Sequence, residues 1–189
     1  TVVVANEQTM GRGRLQRTFL TPAGASLALS VVLKPAREHL PSLMMLSALA
    51  VARAIEKTTG LRAAIKWPND VLVRDRKVSG VLVESELQGE QVAFAIVGIG
   101  LNVNLRVADY PEIADIATSL AAELGRPVSR ADVLLSVLDE LEAYYTALRR
   151  GESIYLEWHD RLALLGRQVR VTMGQEVEEG VAEDVSPDG

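Results

Sequence analysis

The sequence contains no cysteine. Without thiols, the chain can have no disulfide scaffold, no thiolate zinc site and no cysteine nucleophile. Histidine occurs only twice, as His39 and His159, and the two are far apart in sequence. A histidine-based metal site is therefore disfavoured as well.

Long apolar runs are also missing. No stretch reaches the roughly 18–20 residues that a membrane span needs, and the sequence does not open with a secretory signal. Residues 1–5 are instead typical of a β-strand that starts at the first residue, so we expect the sequence to begin within a domain. Together these absences predict a cytoplasmic protein with no membrane attachment.

The charge balance argues against a general nucleic-acid binder. The 20 basic and 25 acidic residues give a formal net charge of −5, whereas proteins that bind nucleic acids through phosphate contacts are usually basic. The length of 189 residues is enough for one domain with a sizeable core and a small appendage.

The first half of the sequence has the apolar patterns of a sheet protein. Strands are predicted at 2–5, 27–33, 63–67, 71–73, 78–86 and 92–99. Polar turns at 74–77 and 88–90 favour an antiparallel meander. One helix is predicted at about 41–58, with Gly60 as the residue that stops it.

The second half is predominantly helical. Helices are predicted from Pro111 to Leu124, from the capping pattern Ser129-x-x-Asp132 to Gly151, and from Tyr155 to Leu165. After Gly166, short strands are predicted at 169–172 and 181–185. The predicted fold class is α+β, with a mixed, largely antiparallel sheet backed by helices and a fragmentary β tail.

The segment 8–17 combines glycines with arginines. Gly11 and Gly13 flank Arg12 and allow the backbone to come close to a ligand. Arg12, Arg14 and Arg17 offer planar cationic donors suited to carboxylate and phosphate oxygens. The segment matches neither a P-loop nor a dinucleotide-binding glycine motif. Taken alone, it fits a solvated arginine-rich turn equally well.

Lys66 is unusual because the chain has four lysines against sixteen arginines and this one lies in an apolar strand. A lysine there must reach solvent or neutralise an anion, because burying it unpaired is costly. Without further context, the exposed face of an edge strand is the simpler interpretation. Gly80 and the glycines and asparagines of 97–104 can mark strand bulges or the walls of a narrow pocket.

Taken together, these segments resemble the biotin protein ligase family. The resemblance rests on five motifs in order: EQTMGRGR (7–14), KWPNDVLV (66–73), RKVSGVLVE (76–84), GIGLNVN (98–104) and ATSL (117–120). It covers residues 1–165, which it identifies as a catalytic domain. Residues 166–189 resemble the start of the family's small SH3-like C-terminal domain.

The resemblance implies a two-step reaction that uses ATP, Mg²⁺ and biotin. Biotin is activated as biotinyl-5′-AMP and then transferred to a lysine of the biotin carboxyl carrier protein or domain of acetyl-CoA carboxylase or a related carboxylase. It also implies a homodimer as one oligomeric state among relatives. No nucleic-acid partner is expected.

The family roles carry over to matching positions of this sequence. Biotin contacts are implied for Gln8, Gly11, Arg12, Gly13, Arg14, Lys66 and Gly80, and ATP or adenylate contacts for Arg12, Arg14, Arg17, Phe19, Lys66 and Asn102. Lys66 and Arg12 would be catalytic, with Lys66 bridging the biotin carboxylate and the α-phosphate. Phe19 stands where many relatives place a tryptophan. No magnesium ligand is assigned, and the family's upstream Ser-x-Asn motif does not occur before residue 7.

Two other functions remain open. A lipoate or octanoate ligase of the same fold would also adenylate a carboxylate next to a strand lysine. A ligand-responsive nucleic-acid-binding module would use the arginines on phosphates, although the acidic net charge disfavours it. Residues 62–77 carry five basic and two acidic side chains, and this local charge of +3 favours an anionic ligand near Lys66.

Overall fold

The structure is a computed structural model that describes residues 1–14, 18–174 and 176–187. Its strands are β1 (Val2–Ala5), β2 (Ser26–Leu33), β3 (Ala64–Lys66), β4 (Asp70–Val73), β5 (Arg76–Gln88), β6 (Gln91–Asn102), β7 (Gln168–Met173) and β8 (Glu176–Val181). Its helices are α1 (Leu40–Thr59), α2 (Leu120–Leu124), α3 (Arg130–Arg149) and α4 (Tyr155–His159).

Six strands form one sheet in the order β1-β2-β6-β5-β4-β3, and every neighbouring pair is antiparallel. The predicted meander is confirmed at both turns. Arg74 and Asp75 take positive φ values of 50° and 61° between β4 and β5, and Gly89 takes 63° between β5 and β6. Such left-handed residues match the twist of tight hairpins.

Helix α1 supplies much of the core on one face of this sheet. It begins at Leu40, with proline in its first turn, and Gly60, whose φ is 73°, caps its C-terminus. Leu43, Leu46 and Leu49 are fully buried, and each such side chain contributes roughly 1.5–3 kcal/mol on leaving water. Helix α3 packs against α1 from outside. The helices therefore leave the opposite face of the sheet to other segments.

The prediction of a helix from Pro111 to Leu124 is wrong in its first half. Residues 111–116 form turns, and Ala117 pairs in parallel with Lys77 of β5. The Thr118 amide donates to the Lys77 carbonyl at 2.8 Å, so the backbone of this segment belongs to the sheet. Only α2 is helical, and the Ser119 side chain caps it by accepting from the Ala122 amide.

The predicted helix from Tyr155 to Leu165 is also shorter than expected. Helix α4 ends at His159, after which the Ile65 amide donates to the Arg161 carbonyl at 2.7 Å and the Ala163 amide to the Ile65 carbonyl at 2.8 Å. The apolar residues that predict a helix here are buried in another way: Leu162 forms a parallel bridge with Ile65 and so lies beside β3. Strand hydrogen bonds therefore replace helical ones.

The tail after Gly166 folds as the separate two-stranded sheet β7–β8. Strand β7 matches the prediction, but β8 lies earlier than the predicted 181–185. Residues 182–187 are not a strand; instead, the Asp184 carboxylate hydrogen-bonds His159 Nε2 at 2.8 Å. The division into domains at residues 165 and 166 stays a prediction. In the described part of the chain, no helix has the length and apolarity to cross a membrane.

A buried carboxylate joins α2 to the β4–β5 turn. The side chain of Glu123 is 1% exposed, lies 2.5 Å from Arg76 Nη2 and 3.4 Å from Arg74 Nη1, and accepts from the Thr118 hydroxyl at 2.5 Å. Charge-assisted hydrogen bonds of this kind are stronger than neutral ones. This cluster holds the 117–124 segment on the end of β5.

Glu123→Ala should therefore lower the free energy of unfolding by about 2–3 kcal/mol, because the buried Thr118 hydroxyl and two arginines lose their acceptor. Urea denaturation measures this change. Glu152→Ala is the matched control, since that side chain is 60% exposed and should change stability by less than about 0.5 kcal/mol. Equal stability of the two variants would contradict the anchoring role.

Candidate active site

One row of residues crosses all six strands on the face of the sheet away from α1. Residues that pair directly in an antiparallel ladder point to the same face. The paired residues of this row are, in order, Ala5, Ala28, Gly100, Gly80, Asp70 and Lys66. The row is a small-residue floor with charges at one end. A second row, of Val3, Ser30, Gly98 and Leu82, runs beside it.

Gly100 lets an aromatic ring approach this floor directly. A Cβ placed on Gly100 would lie 2.3 Å from a carbon of the Phe19 ring, closer than any real contact. The ring therefore rests on the sheet backbone at Gly100. The contact of Phe19 with a nucleotide stays a prediction.

The predicted arginine–glycine loop lies over the same face and is tied together by its backbone. The Gln8 amide donates to the Thr21 carbonyl at 3.1 Å, and the Phe19 amide donates to the Gly11 carbonyl at 3.0 Å. A Cβ on Gly11 would lie 2.3 Å from the Phe19 carbonyl oxygen, so glycine is required there. Arg12 is exposed and Gly13 is partly buried. Arg17 lies outside the described residues.

Lys66 is the last residue of β3, and an ion-pair network between α1 and Arg161 stabilises this strand. Arg161 donates to both carboxylate oxygens of Glu56, at 2.8 and 3.1 Å, and the Ala63 amide donates to the same carboxylate at 3.3 Å. Burial alone would raise the pKa of Glu56, but the hydrogen bonds from Arg161 and Ala63 outweigh it and lower that pKa. Glu56 is therefore ionised at neutral pH and fixes the strand, while the Lys66 side chain is exposed.

Arg14 is brought to the turn that follows Lys66. Its Nη1 donates to Asn69 Oδ1 at 3.4 Å. Asn69 is itself fixed, because its Nδ2 donates to the Val81 carbonyl at 2.8 Å and its carbonyl accepts from the Val81 amide at 2.9 Å. The predicted residues Arg14 and Lys66, 52 positions apart in sequence, thus belong to one cationic end of the site.

Asn102 lies two residues beyond Gly100 on the same face of β6 and is 5% exposed. Its Nδ2 donates to the Thr118 carbonyl at 3.1 Å. This bond ties the ATSL motif to the end of the sheet, beside the floor. The structure therefore brings the predicted Asn102 to the same face as Gly80 and Phe19, at the edge of the row.

Sequence reasoning missed two charged residues of the site, Asp70 and Lys77. Lys77 and Gly80 are three residues apart and would face opposite sides in a regular strand. The register shifts between Val71 and Leu72, so that β5 has one extra residue there. This bulge turns Lys77 onto the floor, where its Nζ lies 2.6 Å from Asp70 Oδ1.

The arrangement can bind an anionic, partly flat ligand. The glycines leave space against the backbone, Phe19 offers a ring face, and Lys66, Arg14 and Lys77 supply positive charge at one end. Among the described residues, no three His, Asp or Glu side chains are grouped closely enough to hold a metal ion. These features define a site in which positively charged side chains can bind an anionic ligand next to the small-residue floor.

Sequence comparison places this chain in a known family. Residues 1–102 match the biotin/lipoate A/B protein ligase family, and these residues contain Lys66, Gly80, Gly100 and the arginine–glycine loop. The chain belongs to this family.

Two curated relatives show over how much of the chain the similarity extends. The chain is 40% identical over 148 residues to the bifunctional ligase/repressor BirA of Bacillus subtilis, covering 77% of this chain and 46% of that protein. It is 33% identical over 201 residues to the biotin–[acetyl-CoA-carboxylase] ligase of Paracoccus denitrificans, covering 99% of this chain and 81% of that protein. The chain thus spans about half the length of its Bacillus relative.

The fold agrees with a solved structure of the same family. The biotin protein ligase of Aquifex aeolicus in complex with biotin and ATP superposes with a TM-score of 0.87 at 35% identity, covering 98% of this chain and 78% of that one. The α+β fold expected from the resemblance is confirmed.

Gly100→Ala should loosen the loop over the floor, because the new methyl group would displace the Phe19 ring. The cost of such overpacking is about 1–3 kcal/mol, so exchange of the Phe19 amide should accelerate about tenfold or more. Hydrogen-exchange mass spectrometry of residues 6–25 measures this.

Gly98→Ala is the control for this experiment. A Cβ there would meet the Leu82 carbonyl oxygen at 3.6 Å, an ordinary contact. Its exchange rates should match those of the wild type, and equal acceleration in both variants would contradict the role given to the Phe19 ring.

Proposed function

We propose that this protein is a biotin–[biotin carboxyl-carrier protein] ligase: it activates biotin with ATP and transfers it to a lysine of a carboxylase carrier protein or domain. The observation that carries the proposal is the paired row of residues that joins the glycine floor to Lys66, with Arg14 held beside it. The Aquifex neighbour, described as a complex with biotin and ATP, supports both substrates.

The first step brings two anions together. A biotin carboxylate oxygen forms a bond to the α-phosphorus of ATP as the bond to pyrophosphate breaks, which gives biotinyl-5′-AMP. Two anions approach each other only where positive charge is concentrated, so electrostatic stabilisation and positioning provide the catalysis. Lys66 bridges the carboxylate and the α-phosphate, and Arg12 and Arg14 contact their oxygens.

The second step uses the mixed anhydride. The ε-amine of the acceptor lysine attacks the biotinyl carbonyl carbon, AMP leaves, and an amide bond is formed. Closing the arginine–glycine loop over the adenylate excludes water between the two steps. The Gly11, Arg12 and Gly13 backbone provides this cover.

For the remaining residues we propose the roles that the resemblance implies. Gln8 and Gly80 line the biotin end, Phe19 and Asn102 lie at the nucleotide, and Arg17 is assigned to the nucleotide from the resemblance. Mg²⁺ would be held by the phosphate oxygens of ATP, which suit its preference for oxygen ligands, since the described side chains offer no cluster for it. There it would reduce the negative charge on the phosphates.

Partner, location and domain organisation complete the proposal. The acceptor is the carrier protein or domain of acetyl-CoA carboxylase or a related carboxylase, as the name of the Paracoccus relative supports. Residues 1–165 form the catalytic domain, and residues 166–189 begin an SH3-like domain. The protein works in the cytoplasm, and a homodimer is the oligomer expected from relatives.

The mass of the carrier domain after incubation tests the proposed reaction. The protein is incubated with Mg-ATP, biotin and a carrier domain, and the carrier is followed by mass spectrometry. A biotin-sized increase that requires ATP and the acceptor lysine supports the proposal. An increase with lipoate or octanoate alone would assign the chain to the lipoate branch of the family, and no increase with any of the three acids would overturn a ligase function.

Lys66→Ala should abolish formation of the adenylate while leaving the fold intact, because this exposed side chain contributes charge and not packing. The expected loss is about 10²–10³-fold in biotin-dependent exchange between ATP and pyrophosphate. Lys34→Ala removes another exposed lysine, beyond β2, and should leave exchange unchanged. Near-wild-type exchange in Lys66→Ala, with an unaltered melting temperature, would remove Lys66 from the mechanism.

A further inference from the structure

Lys77 and Asp70 form an ion pair directly on the floor of the site. Lys77 Nζ lies 2.6 Å from Asp70 Oδ1, and the side chains are 34% and 21% exposed. A Cβ placed on Gly80 would lie 3.2 Å from Lys77 Nζ, 3.3 Å from Lys77 Cε and 3.5 Å from Asp70 Oδ1. The missing side chain at position 80 therefore makes room for this ion pair.

Asp70 is placed between two lysines. Its backbone is opposite Lys66 across β3–β4 and opposite Gly80 across β4–β5, and its carboxylate forms an ion pair with Lys77. No carboxylate in the described part of the chain lies within salt-bridge distance of Lys66, whereas Asp70 neutralises Lys77. The two cations of the floor thus differ in whether an internal anion already pairs with them.

An ammonium group has three donors, so the ion pair with one oxygen of Asp70 does not exhaust the donors of Lys77. The Lys77 side chain is 34% exposed, so a ligand can reach it from solvent. A substrate oxyanion arriving on the floor would therefore find a second cation within reach. It would also meet the negative charge of Asp70, which opposes it.

We propose that Lys77 is a substrate-binding residue that contacts a carboxylate or phosphate oxygen on the floor, and that Asp70 is the internal anion that the substrate oxyanion displaces from it. The assignment rests on the proposed function for the identity of the substrates. It predicts opposite effects at the two positions. Removing the Lys77 charge weakens substrate binding, whereas removing the Asp70 charge strengthens it.

The test measures equilibrium binding of biotin and of Mg-ATP, each alone, by titration calorimetry with the full chain. Lys77→Met should raise the dissociation constant of at least one of the two about tenfold or more, as expected for loss of a charge-assisted hydrogen bond. Lys77→Arg should recover most of that loss. Asp70→Asn keeps the shape of the side chain and should lower the same dissociation constant about three- to tenfold.

The two substrates distinguish the source of the oxyanion. A change confined to biotin assigns Lys77 to the carboxylate, and one confined to ATP assigns it to a phosphate; each supports the proposal. Lys34→Met is the matched control, since Lys34 is exposed and lies six residues along the chain from Ala28, about 20 Å away at strand spacing. It should leave both dissociation constants unchanged.

A merely structural ion pair gives a different result. Lys77→Met and Asp70→Asn would then lower the melting temperature together and leave both dissociation constants as in the wild type, which overturns the proposal. Weaker binding in Asp70→Asn overturns it too. Should Lys77→Met fail to fold, the sign of the change in Asp70→Asn still decides.

The design also separates this proposal from the proposed function. A wild type that binds biotin and ATP but forms no adenylate contradicts the ligase function, while the comparison of dissociation constants still decides the role of Lys77. A wild type that binds neither overturns both.

Discussion

The register of the six-stranded antiparallel sheet is the constraint on which the rest of this structure depends. Each backbone ladder fixes which residues stand side by side, and a shift of one residue would turn the whole set of side chains to the other face. The observed register places Gly100, Gly80, Asp70 and Lys66 in one row. The same register turns the large apolar side chains toward α1. One set of hydrogen bonds therefore builds the core and the floor of the site together.

Asp70 is the internal anion next to which the described cations of the site lie. Lys66 and Lys77 lie on either side of Asp70, and Arg14 approaches through Asn69. Concentrated positive charge is what the joining of a carboxylate to a phosphate requires. Holding cations close together without a ligand costs free energy, and an internal carboxylate reduces this repulsion. The ion pair between Asp70 and Lys77 therefore reduces the repulsion between the two lysines, and under our proposal a substrate oxyanion takes the place of Asp70.

Segments far apart in sequence hold this end of the sheet in place. Residues 161–163 extend the sheet beyond β3, and Glu56 binds both Arg161 and the start of that strand. On the other side, Ala117 pairs with Lys77, and Glu123 clamps the adjoining turn. Segments on both sides thus support the strands that carry the two lysines.

Much of the fold could be predicted from local patterns in the sequence. Alternation and turn residues predict the six strands, and Gly60 predicts the end of α1, because these signals depend on neighbours within a few residues. The helix predictions around 111–118 and 160–165 were wrong because those residues find hydrogen-bond partners in Lys77 and Ile65, which periodicity cannot reveal. Apolar spacing describes which residues are buried, but not which backbone accepts their hydrogen bonds.

For the site, residue chemistry by itself determined that an arginine–glycine loop, Lys66 and Gly80 could meet an anion, and the order of the motifs determined the family. The tertiary structure alone decided that Phe19 rests on Gly100 and that Lys77 faces the floor beside Asp70. The reason is the bulge opposite Val71 and Leu72. It reverses the side to which Lys77 points, and the pairing of two strands creates it, so no reading of one strand predicts it.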